Sequence, residues 1–285
     1  MPFLSTTAHS GKRSTATGLY PDDPGDSAVA LKKANGHNNN GVYYVLVNGV
    51  SIPTYCIMDS NIAGGGWMMI LKSATSATFQ YASSYWTSNN VLNQNDTTTN
   101  SADAKFNHFN YSKGTDLLAH FPDMVQGGSL NQPGYGWTWY QPNFGSAASL
   151  PTGSAPITAL TLFNSSQPAM NSGGSGYFIQ DAYNFSGFQS GVWSSQVDIR
   201  FYGFNYNNNY NATYNITSKT RWGFGWNENG EGLYPGGPSG ASGSNDCGSG
   251  IGLQYQGALY SAGDSYSCCG VIGINRSARV EMYIR

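Results

Sequence analysis

Charge is what this sequence has least of. Only 13 Lys/Arg and 15 Asp/Glu stand among its 285 residues, 10% of the chain, against about 25% in an ordinary soluble domain. Glutamate is nearly missing: Glu228, Glu231 and Glu281 are the whole set. Helix surfaces are normally built from Glu, Lys, Arg, Gln and Ala, so a mostly helical fold is excluded. The formal net charge is −2, and the basic residues cluster no further than Lys12-Arg13 and Lys32-Lys33. That leaves no electrostatic footprint for nucleic acid. Long apolar runs are missing too. The longest, Val42 to Val47 and Trp67 to Leu71, have strand length rather than the ~20 residues of a membrane span, so no membrane insertion is expected. The N-terminal Ser/Thr/Gly stretch has no apolar h-region, which predicts no secretory leader.

Cysteine and histidine are equally sparse. The four cysteines are Cys56, Cys247, Cys268 and Cys269. A vicinal disulfide is strained, so Cys268 and Cys269 are expected to face different partners. Bridging Cys247 to Cys268 or Cys269 closes a loop of about 20 residues, worth ~3 kcal/mol in the chain-entropy model. The competing reading is free buried thiols. No Cys-x-x-Cys occurs, and His9, His37, His108 and His120 lie far from the cysteines in sequence, which argues against zinc. No G-x-S-x-G motif occurs, and His108 and His120 lack a nearby nucleophile motif, so catalysis is not expected.

What the chain does have is Gly (37), Tyr (20) and Asn. These predict strands joined by Asn/Ser/Gly loops. Residues 1–24 are poor in apolar side chains and read as an N-terminal extension, a flexible tail or an arm that docks on a neighbour. Residues 25–285 form the main domain. Asp26-Ser27 can cap a short helix, Ala28 to Ala34, closed at Asn35-Gly36. Val42 to Val47 reads as a strand, Asn48-Gly49 as a type I′ turn, and Val50 to Met58 as its return, with Pro53 at an edge. Gly64-Gly65-Gly66 suggests backbone passing close to backbone. Asp116 to His120 reads as a helix stopped at Phe121-Pro122, and Gln167 to Gly176 as a surface loop. Val197 to Phe204 and Thr220 to Trp226 read as strands. In the second, Trp222, Phe224 and Trp226 share one face. Arg279 to Arg285 alternates like a half-buried strand built into a sheet.

The segments Gly41-Val42-Tyr43-Tyr44, Pro53-Thr54-Tyr55-Cys56-Ile57-Met58-Asp59 and Gly64-Gly65-Gly66-Trp67 stand in order after the short helix. With them, the chain resembles the fibrinogen-like C-terminal domain family. Further on come Phe178 to Ala182, Arg200 to Phe204, Arg221 to Gly230, Tyr260 to Asp264 and Asn275 to Tyr283. These are similar to fibrinogen-like domains of bacteriophage structural proteins and, more distantly, to intelectins. The resemblance implies an α+β fold: a loop-rich fibrinogen-like domain with antiparallel sheets and few short helices. It also implies binding of acetylated or diol-bearing glycans through calcium-organised loops near the C-terminus, and no catalysis. The chain departs from the family pattern in three places. No Cys precedes the first helix to pair with Cys56. The D-x-D calcium core is absent. Lys72-Ser73-Ala74 stands where intelectins carry calcium ligands. These departures favour a variant that folds in a reducing cell.

The residues that could carry function gather late in the chain. Asn227, Glu228, Asn229 and Glu231, then Asn245 and Asp246, offer hard oxygen ligands among glycines, a donor set that suits Ca²⁺. Asp264 is an added candidate ligand. The competing reading is an Asn/Gly turn whose side chains cap their own backbone. Trp226, Tyr234, Tyr255 and Tyr260 could stack on sugar faces, Trp226 otherwise belonging to the core. Seven Asn-x-Ser/Thr triplets occur, at Asn95, Asn110, Asn164, Asn184, Asn211, Asn215 and Asn275, most simply a by-product of composition. The expected protein is a virion structural protein on a tail fibre or capsid surface. Its partners are glycans and other virion proteins or copies of itself. The alternatives are a purely structural decoration or fibre subunit, and a secreted cellular lectin.

Overall fold

A computed structural model describes residues 16–123, 137–141, 144, 156–164, 169–172, 201–207, 218–226, 247–255, 258–266 and 274–285. Among these the chain forms, in order, α1 (Ala28–Asn35), β1 (Gly41–Val47), β2 (Val50–Ile57), β3 (Trp67–Ser73), β4 (Ala104–Lys105), α2 (Asn107–Tyr111), β5 (Lys113–Gly114), β6 (Leu117–Phe121), β7 (Trp137–Gln141), β8 (Ile157–Thr158), α3 (Ala159–Phe163), β9 (Ala169–Ser172), β10 (Phe201–Asn207), β11 (Ser218–Trp226), β12 (Cys247–Tyr255), β13 (Ala258–Tyr266), β14 (Ile274–Ser277) and β15 (Val280–Ile284). A seven-stranded sheet runs β1-β2-β3-β15-β6-β7, with β4 added on β3. A six-stranded sheet runs β14-β13-β12-β11-β10-β9, and β5 pairs β8. The architecture is antiparallel sheet with a few short helices, a sheet-rich α+β arrangement.

Local chemistry explains the first hairpin and helix. Ser27 caps α1, its Oγ accepting from the Ala30 amide at 3.1 Å. Gly36 ends the helix in the left-handed region (φ 65°), its N–H returning to Lys32 O. Asn48 and Gly49 both carry positive φ, 49° and 80°, as a type I′ turn requires, and Val47 then faces Val50. Pro53 faces Tyr44 of β1, while β2 meets β3 only at Cys56 and Ile57. The proline therefore lies where its strand has one neighbour. Gly65, at φ 71°, is the close approach among the three glycines: an added Cβ would sit 2.5 Å from Met58 O. The described part of the N-terminal stretch is tied to the sheet. Gly18 O accepts from the Tyr44 amide at 2.7 Å, and Gly25 exchanges bonds with Tyr44 and Leu46.

Three sequence expectations are corrected. Asp116 to His120 is not helical; Leu117–Phe121 is β6, paired with β15 and β7. Within the stretch expected as a surface loop, Ala169–Ser172 adds to β10 as an edge strand. The terminal strand β15 is buried on both faces rather than half-buried. It lies between β3 and β6. Val280, Met282 and Ile284 enter the main core, while Tyr283 enters a second cluster with Ile57, Trp67, Met69, Ala104, Phe106 and Leu118. Of the expected strand Val197 to Phe204, residues 197–200 lie outside the described residues.

The main core is shared by both large sheets. Val45, Ile70 and Met282 of one join Phe204, Trp222, Ile251 and Ala262 of the other. A chain of aromatic rings runs through this core: Phe79 to Trp86 (centroids 6.2 Å), Trp86 to Phe163 (4.9 Å), Phe163 to Phe204 (5.9 Å) and Phe204 to Trp222 (5.5 Å). Trp86 Nε1 donates to Phe79 O and Gln80 O, which gives the buried indole its polar partner.

Candidate functional site

Strand register places the ends of the sequence-predicted ligand segments. Trp226 pairs with Cys247, Cys247 with Tyr266, and Tyr266 with Ile274. These four form one row across β11, β12, β13 and β14. Segment 227–246 joins Trp226 to Cys247, and segment 267–273 joins Tyr266 to Ile274. Segment 173–200 joins Ser172 to Phe201, another paired couple at the same end of the sheet. Two residues in from Tyr266, Asp264 is in register with Ser249 and Arg276. The structure thus brings Trp226, Cys247 and Asp264 together. Asn227, Glu228, Asn229, Glu231, Tyr234, Asn245, Asp246, Cys268 and Cys269 lie outside the described residues.

The other two predicted aromatics are not part of this group. Tyr255 pairs with Ala258, and Tyr260 with Leu253, toward the opposite end of the same strands. Six residues separate Tyr260 from Tyr266, roughly 20 Å at strand rise. Trp222 is fully buried at 0% exposure against Phe204 and belongs to the core. The intervening row was missed by sequence reasoning. Gly203, Gly223, Gly250 and Gly263 face one another across four strands. A Cβ on Gly250 would lie 2.4 Å from Trp222 O, so this row requires glycine for close backbone approach.

A second polar constellation crosses the seven-stranded sheet. Met282 pairs with Leu71 but Tyr283 with Met69, which leaves Ile70 as the extra residue of a β-bulge,. The bulge sends both Ile70 and Leu71 into the main core and turns Lys72 to the face of Met69. Lys72, Glu281 and His120 then form one row across β3, β15 and β6. Lys72 Nζ meets Asp96 Oδ2 at 2.9 Å, Thr98 O at 2.7 Å and Asn100 Oδ1 at 2.6 Å. Glu281 accepts from the Tyr283 hydroxyl at 2.7 Å and lies 3.9 Å from Arg279. Arg279 also binds Asp123 at 3.1 Å. The next two residues after Lys72, Ser73 and Ala74, both donate to Asp103.

Burial sets the protonation of these groups. It raises Asp96, but hydrogen bonds from Lys72 and Thr98 outweigh it and hold the carboxyl down at about 2. Burial raises Glu281, opposed by Tyr283, Arg279 and Lys72. Burial lowers His120 to about 4, assisted by Arg279. His108, held between the hydroxyls of Thr54 and Ser112, is lowered by burial to about 3. Both imidazoles are therefore neutral near pH 7. Cys56 is a buried free thiol, pushed up by burial. Among the described residues, no group of three His, Cys, Asp or Glu is arranged to hold a metal ion.

No protein-family model matches this chain, and comparison with curated proteins gave no match. The fold itself defines the class: a sheet-rich α+β protein built on two antiparallel sheets around a shared core.

Proposed function

We propose that this chain is a virion structural protein whose fibrinogen-like domain binds host or environmental glycans without catalysing a reaction. The observation that carries the reading is the row Trp226, Cys247, Tyr266 and Ile274. It anchors both ends of the segment holding Asn227, Glu228, Asn229, Glu231, Tyr234, Asn245 and Asp246 beside Asp264. Those oxygen donors would hold Ca²⁺, and the ion would supply open coordination positions for vicinal hydroxyl or acetyl oxygens of a sugar. Trp226 and Tyr234 would offer ring faces beside it.

Asn110 supports folding outside a glycosylating secretory route. It begins an Asn-Tyr-Ser triplet, yet it is 4% exposed and its amide donates to Asn89 O at 2.9 Å. A glycan on that nitrogen has no room in the core. The free buried Cys56 suits the same compartment.

The test is a glycan array probed with the full chain in calcium and in chelator. Calcium-dependent binding that is lost in Glu228→Gln/Glu231→Gln supports the reading. A blank array with correctly folded protein overturns it in favour of a purely structural subunit.

A further inference from the structure

Lys72 combines three features that rarely meet: burial, a carboxylate neighbour and a carboxamide within reach. Its side chain is 1% exposed. Its Nζ lies 2.6 Å from Asn100 Oδ1 and 2.9 Å from Asp96 Oδ2. An amide oxygen that close brings its carbon near the ~3–3.5 Å of a near-attack conformer. The terminal torsion of Asn is soft, so the amide can turn its face toward the amine. The arrangement is held from both sides. The bulge at Ile70 aims Lys72, and Asp103 fixes the neighbouring chain through Ser73, Ala74 and Ser76.

We propose that Lys72 and Asn100 join in a spontaneous intramolecular isopeptide bond, with Asp96 relaying the proton. The pair rests as ammonium and carboxylate; the reaction starts from its minor state, in which Asp96 has taken a proton from Lys72. The freed lone pair attacks Asn100 Cγ and forms the new C–N bond. The tetrahedral intermediate collapses by breaking Cγ–Nδ2, and Asp96 returns its proton to the departing nitrogen. Ammonia leaves and takes up the second proton that the Lys72 nitrogen sheds as it becomes the secondary amide. The net change converts an ammonium and a primary amide into a secondary amide and an ammonium ion, with no oxidant or co-reactant. Asn100 is exposed, so the leaving group has a path to solvent.

The bond would close residues 73–99 into a covalent ring on β3, just before β4 pairs with that strand. A ring of this size restrains the unfolded chain as a disulfide does, but it is indifferent to redox conditions. This inference does not depend on glycan binding.

Intact-mass measurement of the full chain, followed by peptide mapping, tests it. Trypsin can cut after Lys33, Lys72 and Lys105. Without the bond it releases fragments 34–72 and 73–105. With the bond, Lys72 is acylated, so one fragment 34–105 appears, lighter than its sequence by one ammonia. Chymotryptic cleavage inside 73–99 then leaves two pieces still joined. Asn100→Ala, which keeps the Lys72–Asp96 ion pair, is expected to restore the full mass and the cut at Lys72. The full sequence mass with Lys72 cleaved, after prolonged incubation of folded protein, overturns the proposal. So does an ammonia loss that persists in Asn100→Ala or leaves Lys72 cleavable, as a succinimide at Asn35-Gly36 or Asn48-Gly49 would.

Discussion

Glu281 lies directly opposite Lys72 on the β15–β3 ladder, and both are buried, at 4% and 1% exposure. Lys72 takes its charge partner elsewhere, in Asp96. Glu281 is left with a phenol and a distant guanidinium, and burial raises its pKa. The folded state therefore holds the Glu281 proton more tightly than the unfolded state. Its contribution to stability is complete below the unfolded value and is lost as pH rises through the folded one. Glu281→Gln keeps an acceptor for Tyr283 and removes the buried charge. Relative to wild type, the variant's urea midpoint is expected to rise as pH increases from 4 to 8. A difference between the two that stays constant with pH contradicts this.

The two buried histidines act in the opposite sense. His120 and His108 are lowered by burial to about 4 and about 3, while unfolded histidine titrates near 6.5. Between those values the unfolded chain binds more protons, so stability is full above about pH 6.5 and falls on acidification toward the folded values. Each unit of depression corresponds to ~1.4 kcal/mol. Asp96, held at about 2, adds to the loss below its unfolded value. Denaturant midpoints measured from pH 7 to 4 should fall steadily, and His120→Gln should flatten part of that slope.

The glycines are not equivalent. Gly65 has φ 71° and a Cβ added there would sit 2.5 Å from Met58 O, whereas Gly49 has φ 80° and open space. Gly65→Ala combines backbone strain with a clash against rigid main chain and should cost about 1–3 kcal/mol. Gly49→Ala bears only the left-handed penalty, roughly 1 kcal/mol. Thermal melts of the two variants side by side measure the difference.

Trp86 touches Phe79, Phe109 and Phe163 in the chain of rings within the main core. Trp86→Ala should cost ~3–5 kcal/mol. Because the core is shared, the two sheets should unfold together. Tryptophan fluorescence and far-UV circular dichroism are expected to report one coincident transition. Separate transitions would show that the sheets unfold independently.

If Ca²⁺ binds only the folded chain, the ion stabilises it by mass action. At about 100-fold above its dissociation constant the gain is ~2.7 kcal/mol. Removing calcium should lower Tm in wild type and leave Glu228→Gln/Glu231→Gln unchanged. Equal melting with and without chelator in wild type counts against the ion.

Features governed by near neighbours were legible in the sequence. The Ser27 cap, the Gly36 terminus and the Asn48-Gly49 hairpin follow from side chains and φ preferences within a few residues. The scarcity of charge likewise pointed to sheet rather than helix. The candidate site was legible as composition, a run of amide and carboxylate donors beside Trp226, but not as geometry. Tyr255 and Tyr260 are close to it in sequence, yet strand direction carries them to the far end of the sheet.

What only the tertiary structure decided involves residues far apart in the chain. Asp116 to His120 carries a helix-compatible pattern, yet pairing with β15, more than 150 residues later, made Leu117–Phe121 a strand, because a central strand satisfies its backbone on both sides. The same placement buried both faces of β15, whose alternation by itself indicates one. A single bulge at Ile70 then turned Lys72 into line with Glu281 and His120. Side-chain direction in a strand alternates with period 2, so one extra residue moves every later side chain to the other face. Composition and local propensity determined that this chain is sheet; register determined which of its few charges meet.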